Sequence, residues 1–354
     1  MHGRHCDEET HRDGSRVLRV RGGVDQEFQR RVSIPKESFL SQRMILQMIE
    51  NGEVVYSAGQ RFKACKKRVF VLKYSGMEVF MEIVRSVYTD LIFHIFAHVK
   101  VDNASDIYDE AYIASVEKEL GRKTVIPESV TAYYCANFER LAFVNFLPYF
   151  MAKSADEVCF MIRQVGMTTE EDVEKFINPF CDVIKELSAD YVDYWERKAK
   201  ERQASYEELK SYVNEQTLVM SRFFENLHGM TNTKLMVIIS ESLRCNGRAT
   251  IMGDTCIVTL PMPSEQYSMP QIFMQLVHEC THVITDPLLD SIRMDDGSHD
   301  VAEYQVMLFD LWLFERDSME LREEYVKWLS QETLDECDQN LTEEQKKKLR
   351  ALLS

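Results

Sequence analysis

An α+β fold, predominantly helical, is what the sequence predicts, and three observations predict it. Apolar residues recur at three- and four-residue spacings over most of the chain, the pattern that lines one face of a helix. Between residues 235 and 260 that period gives way to β-branched, apolar runs such as LMVIISESL and TCIVTL. Glycine and proline number only 13 and 8 in 354 residues, too few for a loop-rich architecture.

Taken in order, residues 1–36 are rich in Arg, Asp, Glu and Gly and read as a loosely ordered, solvated leader. Asp7, Glu8, Glu9 and Asp13 are acidic residues that an organelle-targeting peptide avoids. Residues 37–203 read as a helical domain, with one strand at Arg68–Tyr74 and breaks at Gly121, Pro127, Gly166 and Pro179. Ser154–Val165 and Asp182–Arg202 carry its clearest amphipathic spacing. Residues 204–354 form the second domain, opening with a long helix, Ser205–His228, closed by Gly229. Three strands follow, Leu235–Leu243, Arg248–Met252 and Thr255–Leu260. Asn246-Gly247 and Gly253-Asp254 between them suit tight turns, so a three-stranded antiparallel meander is expected. Helices at Met269–Thr285, Asp300–Tyr325 and Thr342–Leu353 complete the domain.

Composition narrows the function classes. Acidic residues outnumber basic ones 58 to 42, a net charge of −16, and neutralising phosphates requires the opposite balance. Neither nucleic acid nor an anionic membrane is therefore an expected partner. No apolar run approaches the ~18 residues that span a bilayer. The nine cysteines are odd in number and form no CxxC pair, as expected of free thiols in a reducing, cytoplasmic setting. Neither a glycine-rich phosphate loop nor a GxSxG elbow is present.

The segment that carries chemistry is Pro270-QIFMQLVHECTHVITD-Pro287. Ser268 caps this helix, Pro270 suits its first turn, and Asp286-Pro287 ends it. Within it, His278-Glu279-Cys280-Thr281-His282 is an HExxH sequence. Two imidazoles four residues apart lie on one helical face, one turn apart, and both can reach one metal ion. Glu279 points slightly aside, where it can reach a water on that metal. With 9 His and 36 Glu in 354 residues, chance supplies this motif only about 0.02 times per chain. Cys280 lies about 100° or more around the helix from either His and reads as a buried filler. A second spacing, His94-Ile-Phe-Ala-His98, lacks the Glu and is expected about 0.2 times by chance. It reads as a packed or hydrogen-bonded pair.

On these residues the chain resembles the zincin group of zinc metallopeptidases, and within it the gluzincins, over roughly residues 204–325. The resemblance implies one Zn2+ per chain, held by His278, His282 and a Glu on a later helix. It also implies Glu279 as general base and a peptide or flexible protein segment as substrate. Glu303, 21 positions after His282 and at the start of an apolar helical face, is the preferred third ligand. His299 follows it, then Asp300, Asp295 and Asp296. In some gluzincins an Asp one turn after the ligand Glu orients a ligand His. Met307 stands there here, leaving Asp300 or Asp310 to take that role. Tyr267, Arg293, His299 and Tyr304 are candidate oxyanion donors, and Thr255–Leu260 is a candidate strand edge for aligning a peptide. The expected cleft lies between the two domains. Two other readings keep the metal: an amidase or partner-specific regulatory protease, and a catalytically silent binding scaffold.

Overall fold

The computed structural model describes residues 6–10, 16–20, 53–55, 61–63, 71–74, 77–99, 107–164, 168–244, 247–288 and 298–353. The chain divides into two compact units, Met1–Lys66 with Gln164–Thr168, and Lys67–Arg163 with Thr169–Ser354. In the first, β1 (Cys6–Thr10) pairs antiparallel with β2 (Arg16–Val20), and β3 (Glu53–Val55) with β4 (Arg61–Lys63). The hairpin β1–β2 falls in the segment expected to be a loosely ordered leader. The helical reading of Phe39–Lys66 lies mostly outside the described residues, and its two described pieces are strands.

The second unit is built on a mixed sheet. Its central strands are β6 (Met77–Arg85), β7 (Lys234–Ser240) and β9 (Thr255–Pro261), parallel to one another. The edges are antiparallel: β5 (Val71–Tyr74) on β6 and β8 (Arg248–Met252) on β9, giving the order β5-β6-β7-β9-β8. This corrects the expected meander. β7 and β8 do not pair, because β9 lies between them; of the expected Asn246-Gly247 turn, Asn246 lies outside the described residues. Burial explains the order: β7 and β9 are buried almost continuously, as strands covered on both faces must be, whereas β8 is half-exposed. The free edge is accordingly β8, and Thr255–Leu260 is interior. The Gly253-Asp254 turn does form, with Met252 paired to Thr255 and Gly253 at φ 60°. β6 is a strand the helical reading passed over. Its sequence MEVFMEIVR alternates, and Met81 and Ile83 are buried where Glu82 and Val84 are less so.

Helices cover the sheet. α1 (Val87–Phe96) follows β6 directly, capped by Ser86, whose Oγ accepts from the Thr89 amide at 3.1 Å. α2 (Glu110–Leu120), α3 (Glu128–Ala136), α4 (Phe138–Leu141), α5 (Ala155–Arg163) and α6 (Glu170–Asp172) lead through a π-helical turn, Val173–Ile177, into α7 (Asn178–Glu201). The single helix expected over Ser205–His228 is two, α8 (Gln203–Val219) and α9 (Ser221–Thr231), broken at Met220. Gly229 sits inside α9, and left-handed Asn232 ends it instead. The position where the sequence pattern changes, 203/204, lies at the start of α8, within this unit.

α10 (Met269–Thr285) has the bounds expected of the motif helix; Gln271 Oε1 accepts from the Ser268 amide at 2.8 Å. The following helix is broken at Ser318 into α11 (Ser298–Asp317) and α12 (Met319–Leu329). Two polar helices, α13 (Gln331–Asn340) and α14 (Glu343–Leu353), close the chain. The core joins Val237 and Val258 of the sheet to Phe223 and Phe224 of α9, Phe273 and Leu276 of α10, and Phe309 of α11. Among the described residues no helix is long and apolar enough to cross a membrane.

Polar contacts fasten α1 to the end of β7. Asp90 is fully buried, and its Oδ1 accepts from the Ser240 hydroxyl and from the amides of Glu241 (3.0 Å) and Ser242 (3.4 Å). Its Oδ2 accepts from Trp195 Nε1 of α7 at 2.6 Å. Beside it, buried Glu241 is met by Arg202 at 2.6 Å; burial pushes its pKa up to about 7, against the pull of the arginine. Replacing Asp90 by Ala leaves several buried donors unmet, so urea unfolding should register a loss of at least about 3 kcal/mol. Trp195→Phe, which leaves only Asp90 Oδ2 without its donor, should lose about 1.5–3 kcal/mol.

Candidate metal centre

On α10 the spacing sorts two faces. Ile272, Phe273, Leu276, Val277 and Cys280 enter the core, while Gln275, His278, Glu279 and His282, at positions i, i+3, i+4 and i+7, share the other face. That face forms part of the wall of a cavity of about 730 Å³, whose lining also includes Glu303 and Met307 of α11 and Tyr325 and Trp328 of α12. Residues 96–146 supply another wall, chiefly aromatic, through Phe96, Tyr134, Phe138 and Phe146.

His278, His282 and Glu303 come together here, with one ligand atom of each within 4.8 Å of the others. Glu303 bridges the two rings: Oε2 lies 3.3 Å from His278 Nε2, and Oε1 lies 3.3 Å from His282 Nε2. Two ligand atoms each ~2.1 Å from a tetrahedral ion stand ~3.4 Å apart, so a cluster of this size could hold one cation. The opposite ring nitrogens are also served. Asp310 Oδ2 is 3.3 Å from His278 Nδ1, and Asp286 Oδ1 is 3.1 Å from His282 Nδ1. Each carboxylate can hold the proton on Nδ1 and leave Nε2 as the inward ligand. Asp310, fully buried, is itself fixed by the Thr281 hydroxyl at 2.6 Å. Two histidines and a carboxylate with an open side toward a cavity therefore fit a divalent ion such as zinc.

Of the residues weighed for the orienting role, Asp310 takes it and Asp300 is exposed. Asp295, Asp296 and Arg293 lie outside the described residues, as does the side chain of His299. Tyr267 is buried with its hydroxyl 3.3 Å from Gln275, and Tyr304 packs on the core; neither lines the cavity. Cys280 is fully buried. His94 and His98 stack edge-on at 5.1 Å, with His94 Nε2 bonded to Thr124 Oγ1 at 2.8 Å and His98 3.7 Å from Glu117. They belong to no metal-holding group among the described residues.

Three contacts were missed from sequence. Asp286 and Gln275 each sit one helical turn from the residue they serve, and that spacing is readable. Gln275 Nε2 donates to Glu279 Oε1 at 2.9 Å. The third, Gly247, is an approach between distant segments: a Cβ there would lie 2.7 Å from Glu279 Cγ and 3.0 Å from its Oε1. Only glycine leaves Glu279 its place.

Electrostatics hold the cluster together without an ion. Burial opposes charge on His278, but Asp310 and Glu303 outweigh it and push its pKa up to about 10. His282 rises to about 9 in the same way, through Asp286 and Glu303. Burial also resists charge on Glu303, yet the two rings hold it well below the carboxylate range. Both histidines thus bind protons more tightly folded than unfolded, where pKa is about 6.5. Their contribution to the metal-free fold is complete below that pH and is lost as pH rises through 9 and 10. Urea midpoints of chelator-treated protein should fall between pH 7 and 10, and His278→Gln/His282→Gln should remove this component of the fall. Comparison of the chain with protein-family models, with curated proteins and with solved structures gives no match to any.

Proposed function

We propose that the protein is a zinc-dependent hydrolase that cleaves peptide bonds, with His278, His282 and Glu303 as metal ligands and Glu279 as general base. The observation that carries this reading is the placing of Glu279 beside a three-ligand cluster that faces a cavity. When bound, the ion supplies Lewis acidity, acidifying a water and polarising a carbonyl. Glu279, on the same helical face as the two histidines, would be the group to meet that water. Burial raises its pKa above the ordinary carboxylate value, suiting it to take a proton from the water and return it to the departing amine. Gln275 and the bare backbone of Gly247 confine its carboxylate between them. Asp310 and Asp286 keep the rings turned toward the ion.

We further read residues 204–354 as the gluzincin-like part of the second unit, whose sheet β5 and β6 complete, supported by the order of long helices, strands, motif helix and ligand helix. The edge for an incoming extended peptide is β8, whose residues Arg248 and Ala249, with Gly247 just before them, line the cavity. Because both the aromatic wall and α12 border the cavity, a short or flexible peptide fits it better than a folded domain.

Zinc analysis of the purified protein should give one ion per chain, lost in His278→Ala. On a mixed peptide library, Glu279→Gln should keep the zinc and lose about 10²- to 10⁴-fold in rate. Equal background turnover in wild type and variant would leave a metal-binding scaffold. Gly247→Ala, which crowds Glu279 without touching a ligand, should keep its zinc and lose about ten- to a hundredfold in kcat/KM.

A further inference from the structure

The cavity contains a cation that the hydrolytic step does not use. Among the described residues, Arg248 is the sole Lys or Arg in its lining. Its guanidinium carbon stands 5.2 Å from the ring centre of Phe93, 5.6 Å from Tyr108 and 5.9 Å from Phe146. One donor, Nη2, reaches the Tyr108 hydroxyl at 3.3 Å. Among the described residues no carboxylate lies within ion-pair distance of Arg248. Arg122, Arg140, Arg197, Arg202 and Arg316 each meet an Asp or Glu, whereas Arg350, like Arg248, lies against an aromatic ring, that of Trp312. The aromatic collar restrains the head of the half-buried Arg248 without neutralising it. Nearby in the lining, Asn145 donates to the Tyr134 hydroxyl at 2.6 Å, and its Oδ1 is buried without a partner. That oxygen is an acceptor awaiting an N–H.

Arg248 also sits one residue from Gly247, which packs on Glu279. The cavity is therefore two-ended, with a cation-holding cluster and the general base on one wall and a collared guanidinium on another. We propose that Arg248 receives the free C-terminal carboxylate of a peptide substrate, so that the protein acts as an exopeptidase at C-termini. This rests on the hydrolytic reading above and adds the substrate class to it. The guanidinium fork matches a carboxylate through two parallel N–H donors, and the Asn145 oxygen suits the amide N–H of a terminal residue. The aromatic wall favours an apolar side chain next to that carboxylate. In the reaction, the C–N bond near the C-terminus breaks. The water oxygen ends on the acyl carbon, and the released amine gains a proton through Glu279.

The test uses zinc-loaded protein and two peptides with apolar C-terminal residues, identical except for a free acid or an amide at the end. Wild type should favour the acid by about ten- to a hundredfold in kcat/KM, the worth of a charge-assisted hydrogen bond. Mass spectrometry should find the released fragment at the C-terminus. Arg248→Met should collapse the ratio toward one, and Arg248→Lys should restore part of it, with zinc content and unfolding midpoint measured to confirm intact protein. Binding of both peptides to Glu279→Gln protein, measured by calorimetry, separates the two claims. Equal cleavage of acid and amide, or cuts at internal bonds, overturns the exopeptidase inference and leaves hydrolysis standing. Absence of cleavage together with Arg248-dependent binding of the acid overturns hydrolysis and leaves carboxylate recognition. No difference between acid and amide in either measurement overturns the role of Arg248.

Discussion

A buried carboxylate, Asp90, holds the geometry on which the cavity depends. Its donors come from α7 and from the chain leaving β7, whereas Asp90 itself belongs to α1. One side chain thus fastens the helices before the long sequence excursion to the sheet strands that follow it. The aromatic wall, carried by residues 96–146, begins at the end of α1. Its donors reduce the cost of burying this carboxyl without cancelling it, since burial still raises its pKa, and loss of the group would strand them together. The Arg202–Glu241 pair beside it repeats the device at the start of α8. Polar groups at this junction set direction, and the apolar core beneath supplies the bulk of the stabilisation.

The cluster of His278, His282 and Glu303 follows the same logic at smaller scale. Helical spacing brings four carboxylates to two imidazoles: Asp286 one turn beyond His282 on its own helix, Glu303 and Asp310 seven residues apart on α11, and Glu279 between the rings in sequence. Seven residues is close to two turns, so Glu303 and Asp310 address opposite nitrogens of the same ring, His278, from a single face.

Legibility in the sequence tracks the range of the interaction. α10 could be bounded because Ser268, Pro270 and Asp286-Pro287 are local signals, and the cluster residues could be named because the helix period places them. The sheet order could not. Parallel pairing of β6 with β7 joins positions about 150 residues apart and leaves no turn signature. The Asn-Gly pair suggested a hairpin because local turn chemistry is silent about which strand lies between. Continuous burial of LMVIIS was the available hint that β7 is interior. Gly247 and Arg248 escaped notice for the same reason, since their partners Glu279, Phe93 and Phe146 come from other parts of the chain.

The imidazole cluster bears on how the proposed ion would arrive. Neighbouring carboxylates favour protons on both rings. On the proposed reading an incoming ion would have to displace them, so uptake would release protons and weaken as the pH falls.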